Sequence, residues 1–421
     1  MPSSCPELAS ATAEIAARSK PWRLPQRAAF PLLAAVLFAF FFAAAAPSPL
    51  FVVFQHAWHF SSSLLTVAFA VYAIALLVSL LIAGSLSDHI GRRPVVLAAL
   101  VLQAVAMGLF LLANGIGGLI AARVVQGIAT GVASGALSAA VVEARPAARK
   151  RLGAMITSVS PLAGLALGAL LTGVAVKFSV QPVMLVFGVL AMVFALGAAV
   201  VLWMPETVTP RAGALASLVP RVSIPAQARA EFARGLPVFV VVWALGGLYL
   251  SLAPSLMLHV FGIDNGVVNG LTVAVLSGMG AIAPTLLARF AAPKPVILGM
   301  ASIAAGLVLL LASLATRSLA LFFVGTAVAG LGFGGAFSAL VQTPAPMAQS
   351  HERGELFAAI FVVSYLAFSL PAMLAGFLVA PLGLLNTTEG YAAVLLLIAA
   401  FGVWNQWAGL RRRSRELPVS E

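Results

Sequence analysis

The chain is poor in charge. Asp, Glu, Lys and Arg together make up 9% of its 421 residues, against about 25% in a soluble domain. So few charged groups cannot clothe a water-facing surface. Hydrophobic residues reach 62%, above the roughly 45–50% of soluble proteins, so lipid is the solvent for most of the chain. Cysteine is nearly absent. Cys5 is the only one, which excludes an intrachain disulfide. Acidic residues number twelve, and all fall in tails, loops or the ends of apolar runs. The net charge of +12 comes from short basic clusters between those runs, not from one amphipathic face. That is how a membrane protein sets its orientation, so no nucleic-acid partner is expected.

What is present is a series of apolar stretches of the length that spans a bilayer, about 20 residues. They fall near 29–54, 62–84, 94–113, 117–142, 152–176 and 182–204, and again near 236–259, 266–288, 295–315, 318–342, 356–379 and 390–409. The expected fold class is an all-α membrane protein of twelve transmembrane helices in two six-helix bundles. The expected organisation is a tail over 1–28, a bundle over 29–204, a basic linker over 205–235, a bundle over 236–409 and a tail over 410–421. The first run exceeds the roughly 7–15 apolar residues of a cleaved signal, so the segment before it reads as a tail.

Lys and Arg assign the faces. With the first tail inside, the inner segments carry 21 basic residues and the outer ones carry two, Lys177 and Arg317. Arg123 lies within a run. This asymmetry predicts a multi-pass protein of a bacterial-type inner (plasma) membrane with both termini cytoplasmic.

The two halves repeat. Ala46-Pro47-Ser48 in the first run returns as Ala253-Pro254-Ser255 in the seventh, 207 positions on. Gly127 and Gly131 in the fourth return as Gly330 and Gly334 in the tenth, 203 positions on. Parallel halves about an axis along the membrane normal are one way transporters are built. A single chain holding both halves needs no second copy, so a monomer is expected.

The loop after the second run reads Gly84-Ser-Leu-Ser-Asp88-His-Ile-Gly91-Arg92-Arg93-Pro94. This loop resembles the signature loop of the major facilitator superfamily, with every key position present. The resemblance implies the major facilitator fold and a cytoplasmic latch, in which Asp88 faces the start of the eleventh helix near Gly354 when that side is closed. An anion at a helix N-terminus is favoured by about 0.3–1 kcal/mol. Glu143, at the cytoplasmic end of the fourth helix, is the expected partner of Arg92. The plainer reading is that Arg92 and Arg93 only enforce topology. The equivalent loop of the second half, Arg289 to Pro295, has no acid, so the latch is one-sided.

The fourth run holds Arg123-Val-Val-Gln126-Gly127. A charge in a helix centre costs about 2.5–3.5 kcal/mol on insertion scales and usually faces a bundle interior. The superfamily's fourth helix carries a similar R-x-x-Q-G, which implies proton coupling through Arg123 and Gln126. The alternative is that Arg123 snorkels to the outer headgroups. The fifth run, Gly164-x-x-x-Gly168-Ala169-Leu-Leu-Thr172-Gly173, partly resembles an antiporter motif that marks exporters, with Ala169 in place of proline and Thr172 in place of a glycine. The sixth run ends in Pro205-Glu206-Thr207, a cluster that would end any helix.

No catalytic group, metal site or cofactor is expected. The five histidines, His56, His59, His89, His259 and His351, are divided between the two faces, which argues against a membrane enzyme. By family analogy, Tyr72, Trp243, Tyr249 and Tyr365 are candidate cavity residues. The expected function is proton-coupled efflux of a small neutral or apolar solute by alternating access. An anionic solute could use Arg123. Uniport or symport of a small metabolite, and a transport-inactive sensor or scaffold, are the other readings.

Overall fold

The structure is a computed structural model that describes residues 26–416 apart from 147, 148, 150, 151, 205, 207, 210, 288, 291, 292 and 342–351. Most of the expected N-terminal tail, with Cys5, lies outside the described residues. So do Lys150, Arg151, His351, Pro205, Thr207 and the last five residues.

Among the described residues, twelve helices are long and apolar enough to cross a membrane. They are α1 (Ala28–Trp58), α2 (Ser63–Ala83), α3 (Arg92–Leu112), α4 (Ile116–Glu143), α5 (Leu152–Phe178), α6 (Pro182–Val201), α7 (Ala226–Ser251), α8 (Gly266–Leu287), α9 (Lys294–Thr316), α10 (Leu319–Val341), α11 (Gly354–Leu382) and α12 (Leu384–Arg411). Helices are required here because a backbone in lipid must satisfy its own hydrogen bonds. Two expectations shift. The helix of α7 proper begins at Arg229, inside the expected linker, where Glu231 pairs with Arg234 at 2.6 Å one turn on. Hydropathy marks only the lipid-crossing part of a helix, so this polar extension escapes it. Glu389, expected before the twelfth run, lies in the first two turns of α12.

Each half has its own core. Phe40, Phe110, Phe187 and Phe194 are buried in the first, where Phe110 stacks on Phe187 at 4.3 Å. Phe239, Tyr249 and Phe322 are buried in the second. Without a hydrophobic drive between helices in lipid, close approach over small residues holds them. A Cβ at Gly127 or Gly131 of α4 would strike the backbone of α2, and one at Gly330 or Gly334 of α10 would strike that of α8. The internal repeat is thus a repeat of the same helix contact.

Proline breaks α1 and α7 at matching places. The helix Gln26–Ala45 stops before Pro47, where a second helix, Pro47–Trp58, begins. The helix ending at Ser251 is followed by Ala253–His259, with Pro254 in its first turn. Proline has no N–H to give the carbonyl four residues back. The carbonyls so released are those of Ala43 and Leu250, and both are used.

The halves meet toward the face opposite the basic loops. There Ser48 Oγ donates to Leu250 O at 3.0 Å and Ser63 Oγ donates to Gly376 O at 2.8 Å. A Cβ at Gly173 of α5 would meet the backbone of Gly266 of α8, and one at Gly270 would meet the carbonyl of Ala169. Nearer mid-membrane, Phe69 of α2 lies 4.8 Å from Phe368 of α11.

Candidate functional site

Three groups of residues carry chemistry. The first is the loop between α2 and α3. A short helix, Leu86–Ile90, leads into Gly91, whose φ of 104° turns the chain into α3. That left-handed region favours glycine, and a Cβ here would also strike the Glu206 carboxylate. Arg92 Nη1 pairs with Asp88 Oδ1 at 2.5 Å and Nη2 with Glu143 Oε1 at 3.2 Å. Arg92 Nη1 also donates to Ser87 Oγ at 2.6 Å. Arg93 Nη2 donates to Leu202 O. Asp88 is 56% exposed and, among the described residues, its carboxylate pairs with Arg92 and not with the start of α11. Gly84 closes α2, and its carbonyl would meet a Cβ at Gly135.

Glu206 completes this network. Its Oε1 accepts from Arg92 N at 2.8 Å and its Oε2 from Arg93 N at 3.0 Å. The first N–H groups of a helix have no partner within it, and the terminus carries about half a positive charge. A carboxylate spanning two of them is a charged cap delivered from the far end of the half. Sequence reasoning gave Glu206 no such part. The one signal was an acid at the end of the sixth run, in a bundle whose third helix starts without a capping side chain of its own.

The second group surrounds Arg123, which is 1% exposed. Its Nη1 donates to Gln126 Oε1 at 2.7 Å and reaches Ala44 O at 3.5 Å, and its Nε reaches Ala68 O at 3.4 Å. Gln126 Nε2 donates to Ala43 O at 2.8 Å, the carbonyl that Pro47 leaves free. The break in α1 and the polar pair on α4 therefore satisfy each other. The guanidinium lies over the Tyr72 ring at 4.2 Å and toward Phe51 at 5.8 Å, distances at which a cation and a ring attract.

The third group lies at the seam of the halves. Tyr72 of α2 and Tyr365 of α11 share one buried cluster with Ala44 of α1, against which Trp243 of α7 packs. Trp243 lies 4.7 Å from Tyr365 and 5.8 Å from Phe368. Its Nε1 is buried with no hydrogen-bond partner among the described residues. Three of the four candidate cavity residues thus come together. Tyr249 does not join them. It bonds Thr326 Oγ1 at 2.8 Å inside the second half. On α5, Gly164 and Gly168 pack on Phe38 and Phe42 of α1, while Gly173 faces α8.

The family model described as Major Facilitator Superfamily matches residues 33–372. The chain belongs to this superfamily, and it is a secondary transporter and an integral, multi-pass membrane protein. Among solved structures it is similar to the human organic anion transporter MFSD10 (TETRAN), with 16% identity, 90% of this chain and 100% of that chain covered, and a TM-score of 0.64. It is also similar to a POT family transporter in complex with 5-aminolevulinic acid, with 14% identity, 90% and 96% covered, and a TM-score of 0.71. At these identities the likeness carries the fold. No curated protein matches.

Proposed function

We propose that this transporter exports a small organic solute with a large apolar surface by alternating access, driven by inward proton flow. The observation that carries the reading is the seam cluster. Tyr72, Trp243 and Tyr365 come from both halves, meet near mid-membrane, and leave the Trp243 N–H without a partner among the described residues. A buried polar atom left unpaired in the protein is a place for an acceptor on a ligand. A site between the halves is where rocking bundles would hold a solute.

Orientation follows from the basic loops, which belong in the cytoplasm. The bonds from Ser48 and Ser63 close the far, extracellular face. Asp88, exposed and paired with Arg92, matches a latch released from α11, as the opposite face would require. Export is supported by the partial antiporter motif of α5, and proton coupling by the Arg123–Gln126 pair, both through resemblance to the family.

The test is solute-driven proton movement in liposomes. Purified protein with a pH-sensitive dye inside would be challenged with drugs, sugars, amino acids and organic acids. We expect a pH change with at least one compound, lost in Trp243→Ala. Labelled solute that equilibrates without a pH change would make the protein a uniporter. Absence of any flux across the panel would overturn transport by this site.

A further inference from the structure

Arg123 is a full charge that, among the described residues, no acid answers. Three ion pairs occur among the described residues, and they join Arg92 to Asp88 and Glu143, and Arg234 to Glu231. All three lie at the basic face. Every bond that Arg123 makes goes to a neutral oxygen, and two of the three are long, at 3.4 and 3.5 Å. Its Nη2 makes none among the described residues. Near the end of the helix Gln26–Ala45, Ala44 O faces this side chain at 3.5 Å, but a helix C-terminus supplies only about half a negative charge. A buried charge without a full partner is costly. A membrane interior therefore holds a net positive centre covered by two rings, Tyr72 and Phe51.

The rest of the interior does not offset it. The acids that fall within the spans, Glu143, Glu231, Glu355 and Glu389, all sit within two turns of a helix end. Any solute at the seam thus feels a positive potential that low dielectric strengthens. Tyr72 separates the two places: one face of its ring covers Arg123, and the residue also belongs to the cluster with Tyr365. Moving that ring would open the guanidinium fork to the seam. A planar fork with spare N–H donors matches a carboxylate or sulfonate, which it can hold with two parallel bonds.

We infer that the solute is an amphipathic organic anion, its aromatic or aliphatic body held by Trp243 and Tyr365 and its acid group paired with Arg123 once Tyr72 swings aside. The inference rests on the transport reading given above and narrows it. A cationic solute is disfavoured at such a site, and a neutral one leaves the charge unanswered.

Matched isosteres test this. Purified full-length protein in nanodiscs would be titrated with radiolabelled 1-naphthoate against 1-naphthamide, octanoate against octanamide, and indole-3-acetate against indole-3-acetamide. The acid of at least one pair should bind about tenfold or more tightly than its amide, a difference of about 1.4 kcal/mol. In Arg123→Gln the ratio should fall to near one. Arg123→Lys, which keeps the charge and loses the fork, should keep part of it and serves where the Gln variant does not fold. Amides that bind as well as acids in every pair, no binding by any pair, or a preference that survives Arg123→Gln would overturn the anion site. An amide that binds, is moved across liposomes and loses that movement in Trp243→Ala would sink the anion and leave the transporter standing.

Discussion

Arg92 and Glu206 hold one helix terminus from two sides. The arginine ties it to Asp88 and Glu143, and the carboxylate caps its first N–H groups. Hydrogen bonds to a charged group contribute about 1.5–3 kcal/mol each, and leaving their partners unsatisfied adds to the loss. Glu206→Ala should therefore lower the apparent melting temperature in detergent by several degrees. Glu206→Gln, which keeps one acceptor oxygen, should lie between it and the parent. A melting temperature unchanged in both would mean the cap contributes nothing. Much of this scale was legible in the sequence. The loop could be read because a tight turn demands Gly91 and the basic pair stands out between apolar runs. Arg123 could be read as a charge among apolar neighbours. Glu206 was hidden because its partner Arg92 lies 114 positions away. That Arg123 lies apart from every acid was readable, since all twelve acids fall in tails, loops or the ends of runs; that its neighbours are carbonyls of α1 and α2 was hidden.

Among the helices, the prolines and glycines decide shape. Pro47 costs helix continuity, about 3 kcal/mol in a regular interior, and frees Ala43 O for Gln126. Pro47→Ala would restore an N–H for that carbonyl and displace Gln126. The expected outcome is a melting temperature equal to or above that of the parent, together with reduced liposome flux. Flux at the parental level would deny the break any part in function. At the seam, a side chain at Gly376 would collide with Thr66. Gly376→Leu should wedge the far face open. In a Cys5→Ser background, a reporter cysteine at Ser255, which is 3% exposed, should then react with an impermeant thiol reagent about tenfold faster, the change that 1.4 kcal/mol produces. Equal rates would mean the contact does not close that face. Composition and length were enough to find the spans, and the paired prolines marked the breaks. The start of α7 was not readable, because its first turns are polar and are held by a local ion pair, not by lipid.

Over the whole molecule, the equivalence of the halves gives two breaks of one kind whose freed carbonyls are used differently, that of α1 by Gln126 within its own half and that of α7 across the halves. The carbonyl freed in α7 accepts from Ser48 of α1, so the two halves are pinned by a by-product of their own repeat. An interhelical bond of this sort contributes about 0.6 kcal/mol, weak enough to be made and broken in each cycle. Rocking of the halves about the seam would open one face as the other closes, and distances between spin labels report that exchange. Cysteines replacing Lys177 and Arg317 would report the far face, and cysteines replacing Arg145 and Arg289 the basic face, all in the Cys5→Ser background. Introducing Gly376→Leu should lengthen the far-face distance and shorten the basic-face distance in the same preparation. Two distances that stay fixed, or that change in the same sense, would contradict alternating access between these halves.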